Sequence, residues 1–497
     1  MNKTDFRGRV TELMLLDRLW HTNSASLLIL YGRRRVGKTR LLTHWMQQDA
    51  HRDRSIYWVA EPSSALHQLR SFSQTIFNFG HPGSHAPQDF TYASWEQAFE
   101  EVARLAKDER LALFVDEFTY LIESDSDIVG KLQKVWDHTL KNSNLFLALS
   151  GSQMGLMQRE MLSYQAPLYG RATAQLELPP MPFTVTREFF PEYATDEHVA
   201  IYAILGGVPA YWERLDAAQP LLVNVQNQLF TPNTLMQEEP KLLLQDFITD
   251  THNYHGIIRA IAHGALTQHA ISKHTGLSQG HISKYLSVLR GTGFVERRVP
   301  VTEASGRSRR GHYYVTDPYL RFYYRFLAAN RMQLAVWSPQ QVMTYIEENL
   351  GPFIGQNTWP ELCRQWLLAA GIYDERVPVL EEIGGAWTRK QIVEVAGINR
   401  ASSIMALGVC HWEDDPISHH SLRELINQTN AIVPKTGTWR VYYYGFSRKG
   451  WTEEAETLAR AIRQIGESGK NWSAADLYLL DLEQINRDLV RWSVPMN

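Results

Sequence analysis

The sequence predicts an α/β protein of several domains, and the first domain has a parallel sheet with helices on both sides. Three observations support this prediction. An apolar run at residues 27–31 leads directly into a glycine-rich loop and a helix, and two further apolar runs, at 111–115 and 145–149, each end in polar residues. Short continuous apolar runs of this kind are typical of buried parallel strands. A chain of 497 residues is also long for a single core, which favours several domains.

The composition narrows the classes of protein. Hydrophobic residues make up 44% and charged residues 21%, and the formal net charge is −3. This balance argues against a uniformly basic nucleic-acid-binding protein but allows local basic patches. There is no apolar run long enough to span a bilayer, and the start of the sequence has no apolar signal-peptide core. Cys363 and Cys410 make neither a disulfide framework nor a metal knuckle, so we expect a cytoplasmic protein without membrane contact.

The glycine-rich loop carries a phosphate-binding motif. It fits the pattern G-x-x-x-x-G-K-[ST] at every fixed position with Gly32, Arg33, Arg34, Arg35, Val36, Gly37, Lys38 and Thr39. The two glycines allow backbone N–H groups to surround the β- and γ-phosphates, and the helix that follows directs its positive end at them. Lys38 adds a positive charge for the same oxygens, and the Thr39 hydroxyl is expected to bind Mg²⁺. The loop therefore predicts binding of ATP with Mg²⁺.

A second motif predicts that the nucleotide is hydrolysed. The apolar run at 111–115 ends in Asp116 and Glu117, about eighty residues after the loop. Asp116 would hold the Mg²⁺ shell from the end of a strand, and Glu117 would polarise the attacking water as a general base. An acidic pair after an apolar run is a weak signal alone, but it is a strong one at this distance from a phosphate-binding loop.

A series of motifs resembles one family of P-loop ATPases. In chain order they are Phe6-x-Gly8-Arg9-x-x-Glu12-Leu13, GRRRVGKT, Ser94-Trp95-Glu96, FVDEF, LSGSQ, PLYGR and Leu205-Gly206-Gly207-Val208-Pro209-Ala210-Tyr211. Together they resemble the archaeal-type AAA+/STAND ATPases of archaea and bacteria, although Val10 replaces the usual acidic residue of the first motif. The resemblance implies a helical lid in which Pro209 abuts the adenine and reports the nucleotide state.

The same resemblance points to residues that contact the γ-phosphate. The strand beside the acidic strand ends in a polar residue that senses this phosphate in such ATPases, and Ser150 and Ser152 are the candidates. A turn of small residues explains either serine equally well. Arg171 precedes a predicted strand at 174–178, where AAA+ proteins place an arginine finger. The alternative for Arg171 is a structural arginine paired with a loop carboxylate.

Residues 254–317 predict a winged helix-turn-helix domain. Thr267 and Ser278 are expected helix caps, and Gly276 lies in the turn between the second and third of three short amphipathic helices. Helices in this arrangement are typical of a helix-turn-helix. Strand-like segments then flank a basic tip at residues 303–310, which we interpret as the wing.

The local charge of this domain favours contact with double-stranded DNA. From residue 290 to residue 312, six arginines stand against two glutamates, and this excess is expected for phosphate contacts. The candidate DNA-binding residues are Gln279, His281 and Lys284 on the third helix and Arg307, Arg309 and Arg310 at the wing tip. The alternative is a protein-contact module with a solvated basic face, as many winged helices of STAND ATPases are.

The C-terminal region predicts a restriction-endonuclease-like domain that has lost its catalytic residues. The predicted order is a helix at 359–368, strands at 377–383, 391–396 and 404–410, a helix at 422–427 and a strand at 440–444. This order is similar to the nuclease-like domain of the same family, whose active members carry an acid in the second strand and Glu-x-Lys in the third. The matching positions here hold Val393, Val409 and His411, and Glu394 is one residue away on the opposite face of its strand. We therefore expect no nuclease activity.

These interpretations give four domains and one leading function. The domains are an ATPase domain at 1–190, a helical lid at 191–250, a winged helix at 251–330 and a degenerate nuclease-like domain at 331–497. The leading function is an ATP-hydrolysing switch in which nucleotide state moves the winged helix. The alternatives are a DNA-cleaving defence or mobile-element protein and a scaffold that barely hydrolyses ATP. A homo-oligomer or a protein partner would fit the same sequence.

Overall fold

The chain divides into two compact units. The first comprises residues 1–181 with 208–211, and the second comprises residues 182–207 with 212–497. A computed structural model describes residues 6–231, 234–245, 252–303, 308–330 and 336–493. Among these residues, no helix has both the length and the apolar character needed to cross a membrane.

The first unit is built on a five-stranded sheet in the order β2-β3-β4-β1-β5. The strands are β1 (Ser26–Tyr31), β2 (Ser55–Val59), β3 (Leu111–Asp116), β4 (Leu145–Gly151) and β5 (Ala174–Glu177). All neighbouring pairs are parallel, so the carboxyl ends of the strands lie along one edge of the sheet. One strand, β4, separates the strand of the phosphate-binding loop from the strand of the acidic pair, and it lies beside the acidic strand as the resemblance implied.

Helices cover both faces of this sheet. They are α1 (Val10–Trp20), α2 (Lys38–Met46), α3 (Ala65–Gly80), α4 (Trp95–Leu105), α5 (Thr119–Ser124), α6 (Ile128–His138) and α7 (Met154–Met157). Successive residues of a strand face opposite sides, and in β1 Leu27 and Ile29 join one apolar core while Leu28 and Leu30 join the other. All four side chains are completely buried, which explains why the strand is a continuous apolar run.

The second unit begins with short helices and continues into the winged helix. The first helices are α8 (Thr186–Phe189), α9 (Thr195–Leu205), α10 (Pro209–Trp212), α11 (Leu221–Val225) and α12 (Leu235–Gln245), of which α10 starts in the segment that belongs to the first unit. The winged helix comprises α13 (His252–Ala262), α14 (Gln268–Thr275), α15 (Gln279–Gly291), β6 (Val295–Arg298), β7 (His312–Val315) and α16 (Pro318–Phe322). Strands β6 and β7 are antiparallel.

The predicted caps of the winged helix are confirmed. The Thr267 hydroxyl accepts a hydrogen bond from the Ala270 amide, and the Ser278 hydroxyl accepts one from the His281 amide. Gly276 ends α14 with a φ of 74°, a left-handed conformation that glycine adopts without strain. The local chemistry of the sequence was therefore sufficient to define these helices.

The C-terminal part is a mixed five-stranded sheet with helices. Its elements are α17 (Pro339–Gln356), α18 (Thr358–Tyr373), β8 (Glu382–Trp387), β9 (Ile392–Asn399), β10 (Ile404–His411), α19 (His419–Ile432), β11 (Trp439–Ser447), α20 (Glu453–Ile465), β12 (Trp472–Asp481) and α21 (Leu482–Ser493). The order is β12-β11-β10-β9-β8, in which β8, β9 and β10 are antiparallel and β10, β11 and β12 are parallel. The predicted α/β multidomain fold is confirmed.

One predicted strand in this part lies at a different position. The sequence placed the first strand at 377–383, but β8 spans Glu382–Trp387. Pro378 cannot donate a ladder hydrogen bond, and Val377 is a buried side chain in an irregular segment rather than part of a strand. The observed strand contains Gly384 and Gly385. Because glycine is depleted in strands, a pair of glycines indicates a turn rather than a strand.

Candidate functional site

The phosphate-binding loop connects β1 to α2. Lys38 is the first residue of α2, only 5% exposed, and its Nζ donates to the carbonyl oxygens of Gly32 at 2.8 Å and Arg33 at 3.1 Å. Burial lowers the pKa of Lys38, and the charges of Glu117 and Asp116 oppose that shift. The ammonium is therefore directed into the loop and lies in the field of the acidic pair.

Two close approaches fix the shape of this loop. A Cβ on Gly32 would lie 2.5 Å from the carbonyl oxygen of Leu178, just after β5, so only glycine fits there. The buried Arg9 guanidinium donates through Nη2 to the carbonyl oxygens of Val36 at 3.0 Å and Pro179 at 2.6 Å. Arg9 was noticed in the sequence only as part of a motif, and its contact with the loop could not be derived from spacing.

Asp116, at the end of β3, accepts hydrogen bonds from three hydroxyl groups. Thr39 Oγ1 and Tyr57 Oη each donate to Asp116 Oδ2 at 2.6 Å, and Ser150 Oγ donates to Oδ1. Thr39 and Asp116, the two predicted metal ligands, are thus in direct contact. Tyr57 on β2 was missed, because only the fold brings the neighbouring strand beside the acidic one. Burial and the charge of Asp116 raise the pKa of Tyr57, so this hydroxyl stays a hydrogen-bond donor.

Glu117 has an unusual backbone conformation. Its φ is 51°, in the left-handed region that non-glycine residues rarely adopt. Strain of this kind is frequent at functional sites, where the surrounding structure maintains it. The carboxylate oxygen Oε2 accepts from Ser152 Oγ at 2.8 Å and from the Ser152 amide at 3.3 Å. The two candidate serines therefore both lie at the acidic pair, but each contacts a different acid.

These residues fit a nucleotide triphosphate and a divalent cation. Gly37, with a φ of 99°, precedes the helix N-terminus, and hard oxygen ligands from Thr39 and Asp116 lie beside it. Within the described ranges there is no group of three or more His, Cys, Asp or Glu residues able to hold a metal ion. A cation at this edge of the sheet would therefore share Thr39 and Asp116 with phosphate oxygens, which is how Mg²⁺ usually binds with nucleotides.

Arg171 makes a complete set of contacts away from the loop. Its Nε and Nη2 donate to Asp137 Oδ1 at 2.8 Å and Oδ2 at 2.7 Å, and Nη1 donates to the Pro167 carbonyl oxygen at 2.9 Å. The hydrogen bonds from Arg171 lower the pKa of Asp137. This is the structural pairing that the sequence left open as the alternative, and the role of Arg171 as a finger stays a prediction.

The predicted lid segment contacts the loop within the first unit. A Cβ on Gly37 would lie 3.8 Å from Pro209 Cγ, and Arg33 Nη2 donates to Tyr211 Oη at 3.1 Å. Pro209 therefore lies at the loop, although its contact with adenine stays a prediction. Arg34 extends the other way, and its Nη2 donates to Tyr120 Oη at 3.2 Å.

The third helix of the winged helix presents a polar surface. Gln279, His281 and Lys284 are all exposed on α15. From residue 252 to residue 295 the sequence contains no aspartate or glutamate, but it has four lysines and arginines and six histidines. A continuous acid-free segment of this length is suited to a polyanion, because no carboxylate repels the phosphates.

The wing offers less unbalanced positive charge to DNA than the sequence predicted. Arg310 Nε pairs with Glu303 Oε1 at 3.0 Å, and its carbonyl oxygen accepts from Trp387 Nε1 at 2.9 Å. The Arg310 side chain is still 53% exposed. Arg309 is exposed, and Arg307 lies outside the described residues. Part of the basic charge assigned to DNA is thus already balanced by a carboxylate on the same wing.

The base of the wing is joined to the C-terminal sheet. The Val301 amide donates to the Gly385 carbonyl oxygen at 3.0 Å, and the rings of His312 and Trp387 stack at 4.7 Å. Both Gly385 and Trp387 belong to β8, the edge strand, whose free hydrogen-bonding groups would otherwise invite pairing with another chain. Contacts with the wing therefore protect this edge.

The positions that correspond to nuclease ligands lie in or beside an apolar core. Val393 is 3% exposed within that core, and Val409 packs against it. His411 Nδ1 lies 3.4 Å from Glu413, and the Glu394 side chain is exposed. Glu361, on α18, pairs with Arg321 through two contacts of 2.8 Å. The two valines therefore serve packing and Glu361 serves ion pairs, and the described residues include no group of three or more His, Cys, Asp or Glu able to hold a metal ion.

Comparison with known protein families identifies the class. Residues 6–215 match the model of an ATPase domain found predominantly in Archaea, and residues 256–297 match that of bacterial regulatory proteins of the arsR family, a helix-turn-helix model. Residues 323–425 match a model of archaeal and bacterial proteins of unknown function. The resemblance drawn from the motifs is confirmed: the chain contains an archaeal-type P-loop ATPase domain and a winged helix.

Several individual proteins are similar to this chain. An uncharacterized protein of Methanocaldococcus jannaschii is 26% identical over 411 residues, 82% of this chain and 88% of its own. An uncharacterized ATP-binding protein of that organism is 46% identical over 52 residues, 10% of this chain and 88% of its own. A Walker-type ATPase of Pyrococcus abyssi, 19% identical, has a TM-score of 0.48 and aligns over 65% of this chain and 96% of its own. The ORC2 protein of Aeropyrum pernix, 13% identical, has a TM-score of 0.42 and aligns over 69% of this chain and 96% of its own.

Proposed function

We propose that this protein is an ATP-hydrolysing switch whose nucleotide state controls a winged helix that binds double-stranded DNA. The observation that carries the proposal is the convergence of Lys38, the Thr39–Asp116 pair and Glu117 at one edge of the sheet. A cation, a hydroxyl–carboxylate pair and a second carboxylate are the groups that phosphoryl transfer to water requires.

Each residue has a distinct role in this proposal. Lys38 and the loop amides bind the phosphates and offset their charge. Glu117 accepts the proton of the attacking water, whose oxygen then bonds to the γ-phosphorus. Magnesium, when bound, would be held by Thr39 and Asp116 and would neutralise charge on the phosphates. Ser150 and Tyr57 orient Asp116 through hydrogen bonds.

The course of the chain supports a link between nucleotide and winged helix. Residues 208–211 belong to the first unit and lie at the loop, whereas the residues before and after them belong to the second unit. A ligand that moves Pro209 or Tyr211 would therefore also displace the chain on either side of residues 208–211, and both of these flanking segments belong to the second unit. A switch needs an element of this kind, whose position differs between ligand states.

The winged helix is the proposed output. Its acid-free segment and the exposed residues Gln279, His281 and Lys284 favour duplex DNA. The ion pair between Arg310 and Glu303 favours the second candidate, a scaffold that acts through protein partners, because it neutralises charge that DNA would use.

The test is ATP turnover by the full chain with and without duplex DNA. We expect turnover by the wild-type protein, a change in rate with DNA, no measurable ATP binding by Lys38→Ala, and binding without turnover by Glu117→Gln. Loss of a positioned base typically lowers the rate about 10²–10⁴-fold. ATP binding by the wild-type protein without turnover would favour the scaffold, and turnover that DNA does not change would argue against a DNA-coupled switch.

A further inference from the structure

We propose that Arg34, within the phosphate-binding loop, is the arginine that neutralises charge on the γ-phosphate during hydrolysis, and that it acts within its own chain. This inference rests on the proposed ATP hydrolysis. It assigns a catalytic role to a loop position whose residue type the motif leaves free.

The position of Arg34 in the site carries the inference. Arg34 leaves the loop and donates through Nη2 to Tyr120 Oη at 3.2 Å. Tyr120 lies one turn after the proposed base, and its amide donates to the Glu117 carbonyl oxygen at 3.0 Å. The guanidinium therefore reaches from the element that binds phosphates to the element that holds the base. The γ-phosphate and the attacking water must lie between those same two elements.

The electrostatics agree with this position. The guanidinium of Arg34 and the ammonium of Lys38 are two positive charges of the same loop that repel each other. Arg34 is thus close enough to Lys38 for their charges to interact. Two cations that repel each other in this way favour an anion between them, because a phosphate relieves the repulsion.

Arg171, the arginine that the resemblance suggested, is less suited to the task. Reaching a phosphate would require it to break a two-pronged charge-assisted contact with Asp137 and a bond to the Pro167 carbonyl oxygen. The Arg34 side chain is exposed, and it donates a hydrogen bond to the neutral Tyr120 hydroxyl. A bond to a neutral acceptor is weaker than a bond between charged groups, so exchanging the Tyr120 contact for a phosphate costs less than breaking the pair of Arg171 with Asp137.

The chemical step balances without a covalent bond to Arg34. The water oxygen bonds to the γ-phosphorus, the bond from that phosphorus to the bridging oxygen breaks, and its electron pair leaves with ADP. The water proton passes to Glu117. Negative charge develops on the bridging and γ-phosphate oxygens, and the N–H groups of Arg34 stabilise it.

The experiment compares Arg34→Ala, Arg34→Lys and Arg171→Ala in the full chain. An arginine finger typically contributes about 10³–10⁵-fold to kcat, so Arg34→Ala should lose at least about 10³-fold while its affinity for ADP stays close to that of the wild type. Its affinity for ADP with aluminium fluoride, which imitates the transferring phosphate, should fall in parallel with kcat. Arg34→Lys should keep only part of the kcat that Arg34→Ala loses, because lysine has a positive charge but lacks the planar fork of donors. The matched control is Arg104→Ala, which removes an exposed arginine of α4 paired with Glu101.

The outcomes separate this inference from the function beneath it. Absence of turnover in the wild-type protein would refute the proposed hydrolysis. Wild-type turnover by Arg34→Ala, or an equal loss of affinity for ADP and for the aluminium fluoride complex, would overturn the role of Arg34 alone. A kcat that rises with protein concentration would show that the arginine comes from a second copy. ADP binding by Arg34→Lys checks that the loop is folded if Arg34→Ala fails to bind.

Discussion

Ser152 Oγ donates a hydrogen bond to Glu117 Oε2 at 2.8 Å, and the Ser152 amide donates to the same oxygen at 3.3 Å. Two residues earlier, Ser150 donates to Asp116. The sequence offered both serines equally as sensors of the γ-phosphate. In the structure each serine contacts a different acid: Ser150 contacts Asp116, and Ser152 contacts Glu117.

The first prediction concerns Ser152→Ala. Both donors to Glu117 converge on Oε2, which leaves the carboxylate oriented by one residue. A hydrogen bond to a charged group contributes about 1.5–3 kcal/mol, so loss of the hydroxyl should lower kcat about 10–100-fold. The affinity for ATP should change little, because Ser152 orients the base rather than the nucleotide. Steady-state turnover and nucleotide binding, measured on the same preparation, check both parts.

The control for this prediction is a double-variant cycle. Ser152→Thr keeps the hydroxyl and should retain most of the activity. Ser152→Ala should have almost no further effect in a Glu117→Gln background, because the two residues act as a unit. Additive losses in the double variant would mean that Ser152 contacts the phosphate directly.

The second prediction separates the third helix from the wing as the DNA contact. Each lost phosphate contact should reduce the slope of log affinity against log salt by about 0.9. We expect this reduction for Lys284→Ala and Arg309→Ala, whose side chains are exposed, and a smaller one for Arg310→Ala, which is paired with Glu303. Duplex binding at several salt concentrations measures the slopes.

The control for the DNA experiment is Lys131→Ala. Lys131 lies on α6 and pairs with Asp125 at 2.6 Å, so its loss changes the net charge equally without touching the winged helix. Unchanged slopes in all the winged-helix variants would leave this domain as a protein-contact module.

The limits of the sequence are visible in particular residues. Lys38, Thr39, Asp116 and Glu117 were found because the motif fixes both residue types and their spacing. Tyr57 could not be found, because its contact with Asp116 depends on the order of strands in the sheet.

The same reason applies to pairs that are distant in sequence. The partner of Arg171 is Asp137, and the partners of Glu361 are Arg321 and Arg298. Periodicity and capping describe segments one at a time and do not say which charge meets which. Pairings of this kind follow only from tertiary packing, and they decide which arginines are available for function.

The third prediction concerns stability and pH through Glu361. Burial alone would raise the pKa of this carboxyl, but the guanidinium of Arg321 and then that of Arg298 outweigh burial and lower the pKa to about 2. Because the pKa is lower in the folded state, the contribution to stability is fully present above the ordinary value of 4.5 and is lost as pH falls toward 2. Glu361→Gln should lower the free energy of unfolding by about 3 kcal/mol at pH 7.

Unfolding followed by tryptophan fluorescence between pH 7 and pH 3 checks this prediction. The difference between the wild-type protein and Glu361→Gln should shrink as pH decreases through the acidic range. Glu348→Gln, an exposed position on α17, is the control and should change stability by no more than about 0.5 kcal/mol. A difference that stays constant with pH would show that Glu361 contributes through packing rather than through its charge.

The last prediction is that the purified protein does not cleave DNA with Mg²⁺ or Mn²⁺, with or without ATP. Cleavage by a restriction-endonuclease-like fold needs a divalent ion held by carboxylates. Val393 and Val409 offer no ligand and pack in or against the core, and the carboxylate of Glu361 is already taken by two arginines. Plasmid and linear DNA incubated with the protein and each metal provide the measurement. The control is Glu394→Ala, because Glu394 is an exposed acid on β9, the second strand of the C-terminal sheet in chain order. Nicking by the wild-type protein that disappears in Glu394→Ala would show that this strand still supplies a metal ligand.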